Sequence, residues 1–240
     1  AAPINTATAA GRAAPKQFLF NRTTGAEGVL SLDATLFVGN SLRRHGNSGL
    51  AAKLRDAGLP AVIVDDLQPA PDKVRKTAAL FGADEAGERL AAQVQAQLDE
   101  AARIASGHAR RPKVIHVSAT GAGGQPTVGG ADTAAAALIR LAGGDNIGDA
   151  AGVRDYSVLS QEGIVAAAPD VILVSEHDLE LFGGADALWS QYPTLRQTPA
   201  GAAGRVWVMP DVQLKYTSVA SGAGAIALAR ALSALADQAP

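Results

Sequence analysis

Four histidines, three tyrosines and no cysteine set the chemistry open to this chain. Without thiols there is no disulfide, no thiolate metal site and no cysteine nucleophile. Imidazole and phenolate remain as metal donors. His45 stands in the basic stretch Ser41-Leu42-Arg43-Arg44-His45-Gly46-Asn47, where Arg43 and Arg44 can pair with carboxylates; the plainer reading is a solvated polar loop. His177 lies between Glu176 and Asp178, just past an apolar run. His116 sits inside the run Val114-Ile115-His116-Val117-Ser118, where a histidine is more often a hydrogen-bonded core residue than a ligand. His108, beside Arg110 and Arg111, reads as solvated. Tyr216 follows Lys215, a cation placed to favour the phenolate; the alternative is an amphipathic rim tyrosine. Enzyme signatures are missing: there is no G-x-S-x-G elbow, no H-x-x-x-H pair and no G-x-G-x-x-G fingerprint. The glycine-rich stretch Ala119-Thr120-Gly121-Ala122-Gly123-Gly124 lacks the Gly-Lys-Ser/Thr ending of a phosphate loop and reads as a flexible loop against a ligand.

The elements that must position these groups are legible in composition and pattern. The chain has 240 residues, 48% of them hydrophobic and 18% charged, enough for a real core and too apolar for disorder. A net charge of −2 and a pI near 6.1 give no reason to expect a nucleic-acid partner. No apolar run approaches the roughly 18–20 residues that span a bilayer. No cationic start followed by an apolar stretch is present, so the chain is expected to be intracellular or already processed. Short apolar runs at Thr35–Val38, Ala61–Val64, Val114–Ser118, Val171–Ser175 and Val206–Met209 predict strands buried on both faces. Between them, Gly49–Ala57, Asp72–Phe81, Thr133–Leu141, Gln161–Ala167 and Ala223–Ala236 predict helices, so the fold class is α/β with mostly parallel sheets.

The stretch from Asp84 to Ser106 is longer, with Leu90, Val94, Leu98 and Ala101 at helical spacing and Gly107 and Pro112 at its end. It predicts one long helix joining two lobes: 1–83 an N-terminal α/β lobe, 84–108 the connecting helix, 109–240 a C-terminal α/β lobe. An internal echo supports related lobes. Ala26-Glu27-Gly28-Val29-Leu30 precedes Leu36-Phe37-Val38, and 135 residues later Gln161-Glu162-Gly163-Ile164-Val165 precedes Val171-Ile172-Leu173.

The segment from Ala131 to Pro210 resembles the C-terminal lobe of periplasmic haem-binding proteins of ABC importers, a helical-backbone (class III) branch of the substrate-binding proteins. The residues that carry this are Asp132-Thr133-Ala134-Ala135, Leu138-Ile139-Arg140-Leu141-Ala142-Gly143-Gly144, Tyr156, Leu159-Ser160-Gln161-Glu162-Gly163, Ala168-Pro169-Asp170-Val171-Ile172, Phe182-Gly183-Gly184 and Gln197-Thr198-Pro199-Ala200-Gly201. The likeness continues more thinly back to Thr23-Thr24-Gly25-Ala26-Glu27, and so covers nearly the whole chain.

The resemblance implies a periplasmic or membrane-tethered receptor that is not an enzyme. It would hold haem as transported ligand in the cleft between lobes and hand it to a membrane permease. An outer-membrane haem receptor system is a further partner, and the protein is expected as a monomer. Glu27 and Glu162 match the family's permease-docking glutamates; read locally, each is an acid favoured in a helix's first turn. The haem contacts implied are Tyr216, His45, His116 and His177 toward iron, and Arg43 and Arg44 toward propionates.

Departures are equally specific. The first lobe is expected to lack about forty to fifty residues relative to a typical lobe of this build. Ala9 stands where many members place an iron-ligating tyrosine, in Thr6-Ala7-Thr8-Ala9-Ala10. Leu214-Lys215-Tyr216-Thr217-Ser218 replaces a family Phe-Gly-Pro-Arg. A corrinoid or ferric siderophore is the alternative ligand, and an α/β enzyme using Gly121–Gly124 for an anion is the reading from another class.

Overall fold

A computed structural model describes residues 25–40, 49–108, 110–120 and 125–237. The chain divides into two compact units, Ala1–Asp65 and Asp66–Pro240. The division falls ahead of the helix at 70–80, which therefore groups with the long helix and the second sheet.

In the first unit the described elements are α1 (Ala26–Leu30), β1 (Phe37–Asn40), α2 (Leu50–Asp56) and β2 (Ala61–Val64). The strands are parallel, with Phe37 opposite Ala61. Leu50, Ala51 and Leu54 fall on one face of α2 and pack with Val29, Leu59 and Ala61. Gly58, at φ 86°, ends α2: its N–H returns to Arg55 O at 2.9 Å and that of Leu59 to Leu54 O at 2.9 Å. This left-handed glycine turns the chain straight into β2.

The second unit holds α3 (Ala70–Leu80), α4 (Asp84–Ala105), β3 (Lys113–Thr120), β4 (Gln125–Gly129), α5 (Ala134–Leu141), β5 (Asp145–Asn146), α6 (Ile147–Ala150), β6 (Tyr156–Ser157) and α7 (Gln161–Ala167). It continues with β7 (Val171–Ser175), α8 (Glu176–Phe182), α9 (Ala185–Gln191), a 3-10 turn (Pro193–Gln197), α10 (Pro199–Ala202), β8 (Val206–Met209), α11 (Asp211–Leu214) and α12 (Ser221–Ala236). The sheet runs β6-β4-β3-β7-β8, with β5 also on β3. Strands β3, β5, β7 and β8 are parallel; β4 is antiparallel to β3 and β6. Both faces are covered. Val114, Val171 and Leu173 pack under α5 and α12, while Ile115, Val117, Ile172 and Val174 pack with Ile164, Leu188 and Leu195. That is why these strands read as unbroken apolar runs.

The predicted α/β class with mostly parallel sheets is the fold observed. The first strand lies two residues later than expected, and β4 was not expected: its Gln-Pro-Thr-Val-Gly composition argues against a strand. The long helix runs Asp84–Ala105, about 33 Å at 1.5 Å per residue. It buries Gly87, Ala91, Val94 and Ala101, whereas Leu90 is left exposed. Gly87 lets α3 come close, since a Cβ there would lie 2.3 Å from that of Ala78. No helix among the described residues is long and apolar enough to cross a membrane.

The sequence echo is an echo in backbone. Among the described residues, two that are not glycine have positive φ, Asp33 (53°) and Ala168 (50°), and they are 135 positions apart. Each follows the short helix carrying the glutamate, and each N–H returns to the equivalent carbonyl, Asp33 to Leu30 O and Ala168 to Val165 O. The strands then start alike: Phe37 N–H donates to Pro60 O at 2.8 Å, and Ile172 N–H to Arg205 O at 3.0 Å. Ahead of the partner strand, Gly204 (φ 63°) repeats Gly58, with Arg205 N–H reaching Ala200 O at 2.8 Å. One position differs in chemistry. Asp170 accepts from Arg110 and from the Lys113 N–H, both at 2.8 Å, whereas its counterpart is Thr35. Burial opposes ionisation of Asp170, but the Arg110 guanidinium and that N–H prevail and hold its carboxyl below the ordinary value.

Candidate functional site

Ligand-contacting groups in an open parallel sheet collect outside the carboxyl ends of its strands. In the second unit the ends of β7 and β8 are neighbours and open into α8 and α11. Ser175 caps α8 by accepting the Asp178 N–H at 3.2 Å, which turns the helix sharply off the strand. Three hydrogen bonds then tie α8 to α11: Asp211 accepts the His177 N–H at 3.1 Å, and Lys215 Nζ donates to both oxygens of Asp178 at 2.8 and 2.9 Å. Asp178 is fully buried and the Lys215 side chain is 17% exposed. Removing one member of such a pair leaves a buried charge and costs about 3–5 kcal/mol.

Tyr216 follows Lys215 directly and is 40% exposed. Its loop is held from several sides. Ser221 Oγ donates to the Tyr216 carbonyl at 3.2 Å, Thr217 Oγ1 to Asp66 O at 2.8 Å, and Ser218 Oγ to Val212 O at 2.6 Å. The Ser218 N–H donates to Ser221 Oγ at 2.8 Å. The result is an exposed tyrosine on fixed backbone, in the segment that follows β8 as exposed His177 follows β7. Lys215, read from sequence as a cation favouring the phenolate, is instead committed to Asp178.

His116 is fully buried within β3. Its ring meets that of Tyr156 edge-on, with centroids 5.8 Å apart and planes at 68°. They meet over Gly129, where a Cβ would lie 2.6 Å from His116 Nδ1 and 3.3 Å from Tyr156 Cε1. Tyr156, half-buried, is the aromatic neighbour of this buried ring. His108 is not solvated as expected: both ring nitrogens are covered, and the ring sits on Gly143. Tyr192 is a core residue whose phenol is pushed well up by burial, so it is a poor phenolate donor. Arg43, Arg44, His45, Ala9 and Gly121–Gly124 lie outside the described residues.

The glutamates are both surface groups. Glu27 and Glu162 are exposed in the first turns of α1 and α7, and neither is in an ion pair among the described residues. Beside Glu162 lies an open depression of about 540 Å³, lined by Gln161, Val165, Ala166, Thr194 and Gln197. A second, more apolar hollow of about 400 Å³ runs between α3 and α4, closed at one end by Thr217, Ser218 and Val219.

Sequence reading passed over Asp178 as an anchor and Tyr156 as the partner of His116. Asp178 was visible only as a neighbour of His177. Tyr156 was visible as one of only three tyrosines, but nothing in its spacing points at His116.

The periplasmic binding protein family matches residues 35–212. Among solved structures, the chain is similar to the apo form of the periplasmic heme-binding protein RhuT from Roseiflexus sp. RS-1, at 35% identity and a TM-score of 0.81, over 90% of this chain and 82% of that one. It is similar to the periplasmic heme-binding protein BhuT in complex with two hemes, at 29% identity and a TM-score of 0.77, over 90% and 81% of the two chains. It is also similar to the heme-binding protein HmuT, at 27% identity and a TM-score of 0.75, over 87% and 68%. No curated protein sequence matches the chain.

Proposed function

The chain belongs to the periplasmic binding protein family, and from that premise we propose that it captures haem and delivers it to the permease of an ABC importer. Members of this family bind and release substrate outside the cytoplasm and are not enzymes, so the residues have to hold and let go. The observation that carries the haem reading is likeness over most of the length to heme-binding proteins, joined to an exposed tyrosine on fixed backbone at the ligand-facing end of the sheet. Phenolate is a hard, anionic donor suited to ferric haem iron. In this reading Tyr216 meets iron and His177 stands on the same edge, with His45 a further donor and Arg43 and Arg44 pairing with propionates. Lys215 takes no part in holding propionates, since leaving Asp178 would strand a buried carboxylate. His116, fully buried in β3, is a ligand only if its surroundings open.

Delivery rests on Glu27 and Glu162, exposed at equivalent places in the two units and suited to cationic side chains of a permease. Reversing both charges is expected to abolish haem uptake in a reconstituted importer and leave hemin affinity unchanged; undiminished uptake would refute docking through them.

Hemin titration of the protein, followed by visible absorbance, tests the ligand. A saturable Soret band that shifts in Tyr216→Phe and not in His116→Ala supports the haem reading and the assignment. No saturable band, with saturable binding of a corrinoid or a ferric siderophore, would transfer the site to those ligands.

A further inference from the structure

Lys215 and Asp178 are 37 residues apart in sequence, on elements that leave adjacent strands, yet they form the most deeply buried ion pair of the described residues. Their partners are otherwise few. The Asp178 N–H is used by the Ser175 cap, and both carboxylate oxygens face the single ammonium. Such a pair is a weak source of net stability, because desolvating two charges offsets most of their attraction. What it does supply is specificity: the buried Asp178 carboxylate is satisfied only in arrangements that keep the end of α11 within reach of α8. Lys215 is the residue immediately before Tyr216, so the same restriction also sets where the phenol begins.

We infer that Asp178 and Lys215 are positioning residues for Tyr216. The pair pins the near end of the presenting loop, as the Ser218–Ser221 bond pins the far end. It also commits the Lys215 ammonium to Asp178. For its ligand readout this inference rests on the haem reading; for its structural readout it does not.

The test replaces the pair as a unit with apolar residues of the same shape, Asp178→Leu with Lys215→Met. No charge is then stranded and the fold should hold, whereas the specificity is lost. Protein labelled with 3-fluorotyrosine gives three 19F resonances, and Tyr216→Phe identifies the one from Tyr216. That resonance should be single and narrow in the parent protein and in Lys215→Arg, which keeps the pair. It should broaden or split in the double variant. Hemin affinity should fall about tenfold, the cost of ordering one more side chain on binding. Lys215→Gln, which still offers a donor to Asp178, should fall between, and it decides the matter if the double variant does not fold. An unchanged, narrow Tyr216 resonance in the folded double variant, or in Lys215→Gln if only that folds, would overturn the inference. A broadened resonance in a protein that never binds hemin would uphold the positioning and overturn the haem reading alone.

Discussion

Gly129→Ala probes the contact that removes His116 from the surface. The added methyl would lie 2.6 Å from His116 Nδ1, nearer than real Cβ contacts come, and 3.3 Å from Tyr156 Cε1. His116 cannot swing away freely, because it is fully buried in β3 and bounded by the Tyr156 ring. Overpacking of this kind costs roughly 1–3 kcal/mol. Alanine returns about 0.4–1 kcal/mol through a less flexible unfolded chain, since Gly129 has no positive φ. The net expectation is a loss of about 1–2 kcal/mol, or roughly 3–6 °C in Tm for a chain of this size. Repeating the substitution in a His116→Ala background removes the 2.6 Å conflict and leaves the milder one with Tyr156. There it should cost less than about 0.5 kcal/mol, a coupling of about 1 kcal/mol in the cycle. Thermal unfolding of the four proteins gives the answer. Equal cost in both backgrounds would refute the packing of His116 and Tyr156 over this glycine.

Other perturbations follow from single contacts. Asp170→Asn should lose about 2–3 kcal/mol near neutral pH, since two hydrogen bonds to a charged carboxylate are weakened. Because the folded carboxyl sits below its ordinary value, this stabilisation is present above the unfolded value of about 3.9 and disappears as pH falls through the folded one. Parent and variant melting curves should therefore converge in strong acid; a constant gap down to that range would contradict the ion pair. The left-handed positions should respond in opposite senses: Ala168→Gly should gain about 0.5–1 kcal/mol and Gly204→Ala lose about 1 kcal/mol, read from urea midpoints.

Much of the fold was open to local reading. The strands at 61–64, 171–175 and 206–209 and the helix from Asp84 are bounded by turn chemistry and apolar runs that act over a few residues. β4 escaped because its proline and glycine argue against a strand, and it forms by pairing with both β3 and β6. The site was less open. Tyr216 and His177 were picked out as residue types after strands, and in the fold they follow β8 and β7.

By itself, the sequence determined the order of α/β units, the long helix and the 135-residue echo that places Glu27 and Glu162 alike, because hydrophobic period and helix-ending turns are properties of neighbouring residues. Tertiary structure decided which charged group faces which. Lys215 meets Asp178 because β7 and β8 lie side by side, and His116 meets Tyr156 because a glycine separates them across β4. Strand order is not written in the spacing of side chains, so the groups it brings together become partners only when the sheet forms.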